Sequence, residues 1–279
     1  MAQDSSLIKI DITKAAAVLI EKISDAIGGY FKPFQIRRLA KAEAEAEIIR
    51  AEAQIECEDI HRRAAARFIA EEAKKQDNIE TITKKAIPLL NESSNPQGME
   101  DDWITNFFDK CRIISDEEMQ VLWSEVLAGE ANSPGRFSKR TVNSLASLDK
   151  ADAQYFTIVC GFAWEFGELI PIIVDHQAAI YVDHGVNFDK LSHLDDIGLI
   201  SFESLGFKKI ELPQAIVVKY YETPVNIRFE EPANNELDIG YAVFTKTGLQ
   251  LAGICGARPV EGVLDYVIDY WKKKGLTIS

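Results

Sequence analysis

The sequence contains few cysteines and no pattern that would join them in a disulfide framework. The four cysteines lie far apart and include no CxxC pair. Such spacing predicts reduced, buried thiols rather than structural disulfides or a zinc ribbon. The residues are Cys57, Cys111, Cys160 and Cys255.

Long apolar runs are also missing. The longest, Ala15–Ile20 and Leu169–Val174, are far shorter than the roughly 20 residues of a membrane-spanning helix. The N-terminus has no basic region followed by an apolar one, so the sequence predicts no signal peptide. We therefore expect a cytoplasmic protein, with a peripheral position at the inner membrane as the alternative.

Basic residues are fewer than acidic ones. Against 44 acidic residues the chain has 31 Lys and Arg, which gives a net charge of −13. This balance argues against general binding to nucleic acids or anionic lipids, because both bind proteins through clustered Lys and Arg. With 47% hydrophobic residues over 279 positions, the chain can bury a substantial core and form two domains, or one domain with a helical arm.

Composition predicts a mainly α protein with a C-terminal α+β module. Residues 1–90 form an amphipathic helix and a long Ala/Glu-rich arm, because no Gly or Pro lies between Phe34 and Ile87. The stretch NESSNPQG falls in a linker at 91–99. A bundle of short helices follows at 100–166, and a winged-helix-like module at 167–279.

The arm carries a stripe of small and apolar residues that repeats every eleven positions. An eleven-residue repeat corresponds to 3.67 residues per turn, so the stripe stays on one face of a nearly straight helix. It predicts homo-oligomerisation in the manner of a coiled coil, or packing against another part of the same chain. A solvated helix with Glu–Arg pairs is the alternative. The stripe comprises Ala42, Ala46, Ile49, Ala53, Cys57, Ile60, Ala64 and Phe68.

Two further sets of residues are candidates for contact with a partner. The first is an aromatic and basic segment that either packs as a helix corner or touches a membrane or a partner: Tyr30, Phe31, Lys32, Phe34, Arg37 and Arg38. The second is the densest cationic cluster of the central region, where an anionic ligand or partner would bind: Arg136, Lys139 and Arg140.

Several element boundaries can be predicted from local patterns. Ser115 with Glu118 forms the pattern of a capping box, Asp149 and Thr245 are helix caps, and Ala179–Val182 and Ile210–Tyr220 are predicted strands. Aromatic residues at helical intervals are predicted core residues, namely Trp103, Phe107, Phe108, Trp123 and Trp164.

The passage from Asp102 to Phe156, with Leu122-Trp123, Leu127-Ala128 and Asp152-Ala153, resembles an uncharacterised bacterial domain-of-unknown-function family. This resemblance covers most of the chain. Over about half of the chain, the sequence more distantly resembles the Abi-alpha family, which is associated with abortive infection. The resemblance implies an antiphage role and assigns no catalytic residue.

Recognisable catalytic motifs are missing as well. No GxSxG or GxxxxGK[ST] motif occurs. His176, His184 and His193 are spaced by 8 and 9 residues, which matches no common metal motif. We therefore predict no catalytic, cofactor or metal site.

The sequence favours an oligomeric interaction protein of bacterial defence or stress response, whose partner is another protein or a phage trigger. Two alternatives remain open. One is a transcriptional regulator that binds DNA through the C-terminal module. The other is a metal-dependent hydrolase or nuclease with an unfamiliar site.

Overall fold

The computed structural model describes residues 13–27 and 59–279. Its contacts divide the chain into two compact units, one up to Val142 and the other from Asn143 to Ser279. The sequence places its last boundary at 166/167 instead, so the structure assigns residues 143–166 to the second unit. Within the described residues, no helix combines the length and the apolar character needed to cross a membrane.

The first unit is helical. Its helices are α1 (Lys14–Ile27), α2 (Asp59–Ala86), α3 (Asp101–Cys111), α4 (Glu117–Asn132) and α5 (Lys139–Ser147), the last of which continues into the second unit. Short 3₁₀ turns lie at Ile87–Leu89 and Pro96–Gly98.

Aromatic side chains form the core of the first unit. The Trp103 and Phe107 rings stack with centroids 5.1 Å apart, and Trp123 meets Phe107 edge-on at the same separation. Trp103 Nε1 donates a 2.7 Å hydrogen bond to the carbonyl of Phe137, which satisfies its polar atom inside the core. The predicted aromatic core is therefore confirmed.

The predicted linker at 91–99 is fixed to the end of α4. The Asn95 amide donates to the Ala131 carbonyl at 2.9 Å. Asn132 accepts from the Asn91 amide and donates to the Leu89 carbonyl, both at 3.0 Å. Pro96 is buried. The Gly/Pro/Asn-rich composition therefore marks a tight turn that packs against a helix.

The second unit combines helices with two antiparallel sheets. Its helices are α6 (Lys150–Cys160), α7 (Ala179–Val182), α8 (Phe188–Asp196), α9 (Lys246–Ala252) and α10 (Val263–Lys273). Its strands are β1 (Ala163–Glu165), β2 (Leu169–Pro171), β3 (Ile200–Leu212), β4 (Ala215–Tyr220), β5 (Thr223–Arg228), β6 (Asn235–Phe244) and β7 (Thr277–Ile278). This arrangement confirms the α+β class of the C-terminal region.

One sheet has five strands in the order β2-β1-β4-β5-β7, and the other pairs β3 with β6. An isolated bridge joins Ile173 to Gly240, where φ is +90°. A Cβ at position 240 would collide with the backbone of Ile173. Only glycine therefore allows β6 to approach this loop so closely.

Three local predictions were wrong. Ala179–Val182 is a short helix with the backbone bond Asp183 N–H to Ala179 O, and it places Tyr181 in the core, where the hydroxyl donates to the Ile172 carbonyl at 2.9 Å. The cap of α4 is Asp116, whose carboxylate accepts from two amides and so binds the positive helix end better than Ser115 would. The stretch Ile210–Tyr220 forms parts of two strands, β3 and β4, because Pro213 between them has no N–H to continue the ladder.

Other local predictions are confirmed. Asp149 and Asp152 form the capping box of α6, and Thr245 caps α9 by accepting from the Gly248 amide at 3.0 Å. Cys111 and Cys160 are buried free thiols, as predicted. Cys255 is partly exposed, and Cys57 lies outside the described residues.

Candidate functional site

The second half of α2 is part of the helical core. Its buried residues are Asn78, Ile79, Ile82, Thr83 and Ala86. Asn78 Nδ2 donates to the Arg112 carbonyl at 2.8 Å, and Gln120 of α4 reaches both Asn78 Oδ1 and the Ile114 carbonyl. The end of the predicted arm therefore packs against its own unit through apolar burial and a buried amide network.

The first half of α2 is solvent-exposed and carries the last three residues of the predicted stripe. Ile60 is 59% exposed and Phe68 is 63% exposed, and Ala64 between them is exposed too. Steps of four residues place all three on one helix face. The other stripe residues, Ala42, Ala46, Ile49, Ala53 and Cys57, lie outside the described residues.

Exposed ion pairs follow the same part of α2. Asp59 binds Arg62 at 2.7 Å and Arg63 at 2.9 Å, and Arg67 binds Glu71 at 2.7 Å. Pairs of this kind stabilise a helix by roughly 0.2–0.5 kcal/mol each. They help this exposed segment to remain helical, but they provide no reason for large apolar side chains between them.

The predicted cationic cluster has Arg136 on the loop that leads into α5 and Lys139 and Arg140 in the first turn of α5, and a buried carboxylate shapes the loop. Glu130 accepts from the Gly135 amide at 2.6 Å and from the Phe137 amide at 2.8 Å. Burial raises the pKa of Glu130 above its ordinary value, although the amide hydrogen bonds oppose the shift. Glu130 therefore fixes the backbone on which the cluster is presented.

The members of the cluster differ in their surroundings. The Arg136 guanidinium lies 5.2 Å from the Phe137 ring centroid, and Lys139 Nζ lies 3.4 Å from the Asp102 carboxylate. Arg140 is exposed. Asp102 therefore offsets part of the positive charge at Lys139. The candidate membrane or partner contacts, Tyr30, Phe31, Lys32, Phe34, Arg37 and Arg38, lie outside the described residues.

The three histidines of the second unit do not converge. The His176 ring is surrounded by Phe188, Phe202 and Tyr241 at centroid distances of 5.6–6.1 Å. His184 Nδ1 contacts the Ile180 carbonyl at 3.0 Å, and His193 Nε2 contacts Asp152 at 2.7 Å. In the part of the chain that the structure describes, no three His, Cys, Asp or Glu residues are grouped to hold a metal ion.

A cavity in the second unit lies where the end of α6 meets the segment that follows α9. Its volume is about 270 Å³, and its lining comprises Cys160, Ala163, Glu165, Leu169, Tyr221, Ala252, Gly253, Gly256 and Ala257. Cys255, between the lining residues Gly253 and Gly256, is partly exposed, and its thiol donates to the Ala252 carbonyl at 3.4 Å. Sequence reasoning missed this cavity, because its lining comes from segments that only the fold brings together.

Comparison with known proteins assigns the family. The family model described as "Protein of unknown function (DUF2806)" matches residues 62–267, which is well over half of the chain. No curated protein and no solved structure matches the chain. The match begins in the exposed half of α2 and ends in α10. The chain therefore belongs to the DUF2806 family.

Proposed function

We propose that this protein acts by self-assembly, in which the exposed face of the first half of α2 packs against the same face of a second copy. The observation that carries the proposal is the contrast within one helix. Ile60 and Phe68 are mostly exposed, whereas the apolar residues of the second half are buried. Pairing two copies would remove these side chains from water at roughly 25 cal/mol per Å² of apolar surface.

The charges of this segment favour a second copy as the occupant. Acidic Asp59, Glu71 and Glu72 flank the basic residues Arg62, Arg63 and Arg67 on a stretch of about four turns. Both signs are therefore present within a short distance and pair within the helix, so the segment presents little net charge to a second copy. A chain of net charge −13 repels its copies over most of its surface, so a locally balanced segment is where they can approach.

The wider role that we propose is bacterial defence or stress response, with the second unit recognising a protein partner or a phage product. Support for this role comes from the resemblance of the passage between Asp102 and Phe156 to the Abi-alpha family. Assembly through α2 would then change the state of the protein after recognition, in the cytoplasm or at the inner membrane.

The winged-helix interpretation of the second unit is part of the proposal. Its support is the run of α8, a stop at Gly198, strands β3 and β6, and the Thr245 cap of α9. A hairpin of β4 and β5 separates the paired strands. Between Lys190 and Gly256 there are six Lys or Arg against nine Asp or Glu. This acidic balance disfavours DNA and favours a protein partner.

The test is the solution mass of the full chain by light scattering over a range of concentrations, for wild type and for Phe68→Lys. A lysine in the packed seam would bring an uncompensated charge into an apolar contact. We expect Phe68→Lys to raise the apparent dissociation constant at least about tenfold, which corresponds to ~1.4 kcal/mol. The intact chain is needed, because removing α2 would also remove core residues such as Ile82.

The matched control is Ala66→Lys. Position 66 is exposed on the same helix, but two residues from Phe68 correspond to about 200° of rotation, which is the opposite face. Lysine is a good helix former, so neither variant is expected to unfold the helix. A monomeric wild type, or equal effects of the two variants, would refute assembly through this face.

A further inference from the structure

The cavity at the end of α6 is a feature of the second unit that self-assembly through α2 does not use. Its walls come from the end of α6, the hairpin of β1 and β2, the turn between β4 and β5, and the segment 252–257 at the end of α9. Its volume is about 270 Å³, whereas an apolar protein cavity of about 150 Å³ can hold benzene. A small molecule with one ring and a short side chain therefore fits.

Small residues form most of the lining. They are Ala163, Ala252, Gly253, Gly256 and Ala257. A Cβ at position 256 would meet no described atom within 4 Å beyond its chain neighbours. Protein interiors are ordinarily close-packed, so the short side chains at these positions leave open a space that larger residues would fill. The body of a ligand would meet mainly apolar surface there.

One aromatic ring completes the lining. Tyr221 lies in the turn between β4 and β5, where its φ of +51° is rare for a bulky residue. Its hydroxyl donates to the Cys160 carbonyl at 3.4 Å, and burial raises the pKa of Tyr221, so the phenol stays neutral. A strained backbone of this kind persists where its surroundings impose it. Here it places an aromatic side chain beside the small residues.

The charges around the cavity are negative. Glu165 contributes a carboxylate, and none of the nine lining residues is Lys, Arg or His. Two helices, α6 and α9, end within the lining, at Cys160 and Ala252. The end of a helix presents carbonyl groups without helical partners and a partial negative charge. The cavity therefore attracts a cation and repels an anion.

Lys219 offsets only part of the Glu165 charge. The two residues face each other across β1 and β4, and Lys219 Nζ lies 3.6 Å from Glu165 Oε2. Both side chains are about half exposed, at 52% and 53%, so solvent weakens this pair. An ionised carboxylate accepts hydrogen bonds through two oxygens. Glu165 can therefore bind a further ammonium group from the cavity.

We propose that this cavity binds a small organic amine. The ammonium group lies at Glu165 and at the carbonyl ends of α6 and α9, and the apolar body packs against Tyr221 and the small residues. The charge of the lining selects a cation, and the volume selects a single ring or a short chain. Binding is non-covalent and leaves every bond of the ligand intact.

Isothermal titration calorimetry of the full chain tests this assignment with three probes of similar size and different charge. They are phenethylamine, 2-phenylethanol and phenylacetate. We expect phenethylamine to bind most tightly, 2-phenylethanol more weakly, and phenylacetate at least about tenfold more weakly than the amine. The proposal is overturned if phenethylamine shows no saturable binding at millimolar concentrations, or if the three probes bind equally.

Variants separate the charge of the cavity from its volume. Glu165→Gln should weaken phenethylamine binding about two- to fivefold and leave 2-phenylethanol binding unchanged. The matched control is Glu168→Gln, because Glu168 is an exposed carboxylate that pairs with Lys209 at 2.8 Å and is not among the lining residues. Ala257→Leu should fill the space and weaken the binding of both probes.

Two outcomes with these variants would contradict the proposal. One is an equal effect of Glu165→Gln and Glu168→Gln on phenethylamine binding, which would mean that the amine responds only to general surface charge. The other is undiminished binding by folded Ala257→Leu, which would place the amine outside the cavity. If Ala257→Leu does not fold, the comparison of the two glutamine variants decides, since both positions are exposed.

Discussion

The two halves of α2 have opposite surroundings. Both are helical, but the first is rich in Ala and Arg, whereas the second carries Lys, Ile and Thr. The first half, from Asp59 to about Ala73, leaves Ile60 and Phe68 in water, whereas the second half buries Ile79 and Ile82 against the bundle. The comparison shows that a helical stripe predicts a contact face without saying whether the contact lies within the chain or between chains.

The largest expected difference in the free energy of unfolding is between the alanine variants of two isoleucines of this helix. Ile82 is fully buried and Ile60 is 59% exposed. Truncation of a buried isoleucine to alanine removes apolar contacts and leaves a cavity, so Ile82→Ala should lower the free energy of unfolding by about 2–5 kcal/mol. Ile60→Ala should change it by less than about 0.5 kcal/mol. Urea denaturation of both variants, at concentrations where the protein is monomeric, measures the difference. Equal losses would mean that the first half is packed within the monomer.

A smaller effect is expected for Glu130, the buried carboxylate of the same bundle. Glu130→Ala leaves the Phe137 amide buried without its acceptor, which should cost about 1–3 kcal/mol near pH 5. Burial raises the pKa of Glu130 above the ordinary 4.5. A carboxyl with a raised folded-state pKa contributes less stability as pH rises from its unfolded value through the raised one. The difference in the free energy of unfolding between wild type and Glu130→Ala should therefore become smaller toward neutral pH.

Denaturation at several pH values checks this prediction. The exposed Glu71 is the matched control. The difference in the free energy of unfolding between wild type and Glu71→Ala should not decrease comparably between pH 5 and pH 7. If the difference for Glu130→Ala increases with pH instead, the amide hydrogen bonds outweigh burial at Glu130.

The smallest effect is expected for the ion pair between Arg67 and Glu71. Both side chains are largely exposed, so water and salt screen their attraction. Arg67→Gln should lower the free energy of unfolding of the monomer by about 0.3–0.5 kcal/mol at low salt. In 1 M NaCl the difference should largely vanish. A difference that persists in high salt would show that Arg67 contributes through packing instead of charge.

Local elements could be predicted well where short-range physics decides them. The caps at Asp149 and Thr245 follow from side-chain oxygens that reach amides two or three residues ahead. The predictions for Ser115 and for Ala179–Val182 failed where a stronger local acceptor or a buried contact decided the outcome. Asp116 displaces the cap by one residue, and the Tyr181 hydroxyl bond to Ile172 accompanies a helix where β-branched residues favour a strand.

At the candidate sites too, the sequence predicts local features, and only the structure shows the contacts between distant segments. The face of Ile60, Ala64 and Phe68 could be found from the sequence, because steps of four residues on a helix are a local property. The cavity beside Cys160 could not be found, since α6 and the segment after α9 meet only when the second unit folds. The cationic cluster was visible as a run of charges, but only the structure shows that Asp102 binds Lys139.

The sequence by itself determined the composition class, the aromatic core and the helix caps at Asp149 and Thr245, because these depend on periodicity and on contacts between near neighbours. Only the tertiary structure decided that α2 is half core and half exposed surface, and that the end of α6 and the segment after α9 share a cavity. Burial is the physical reason. It raises or lowers the energy of each side chain according to which distant segments pack on it, and no local spacing encodes that choice.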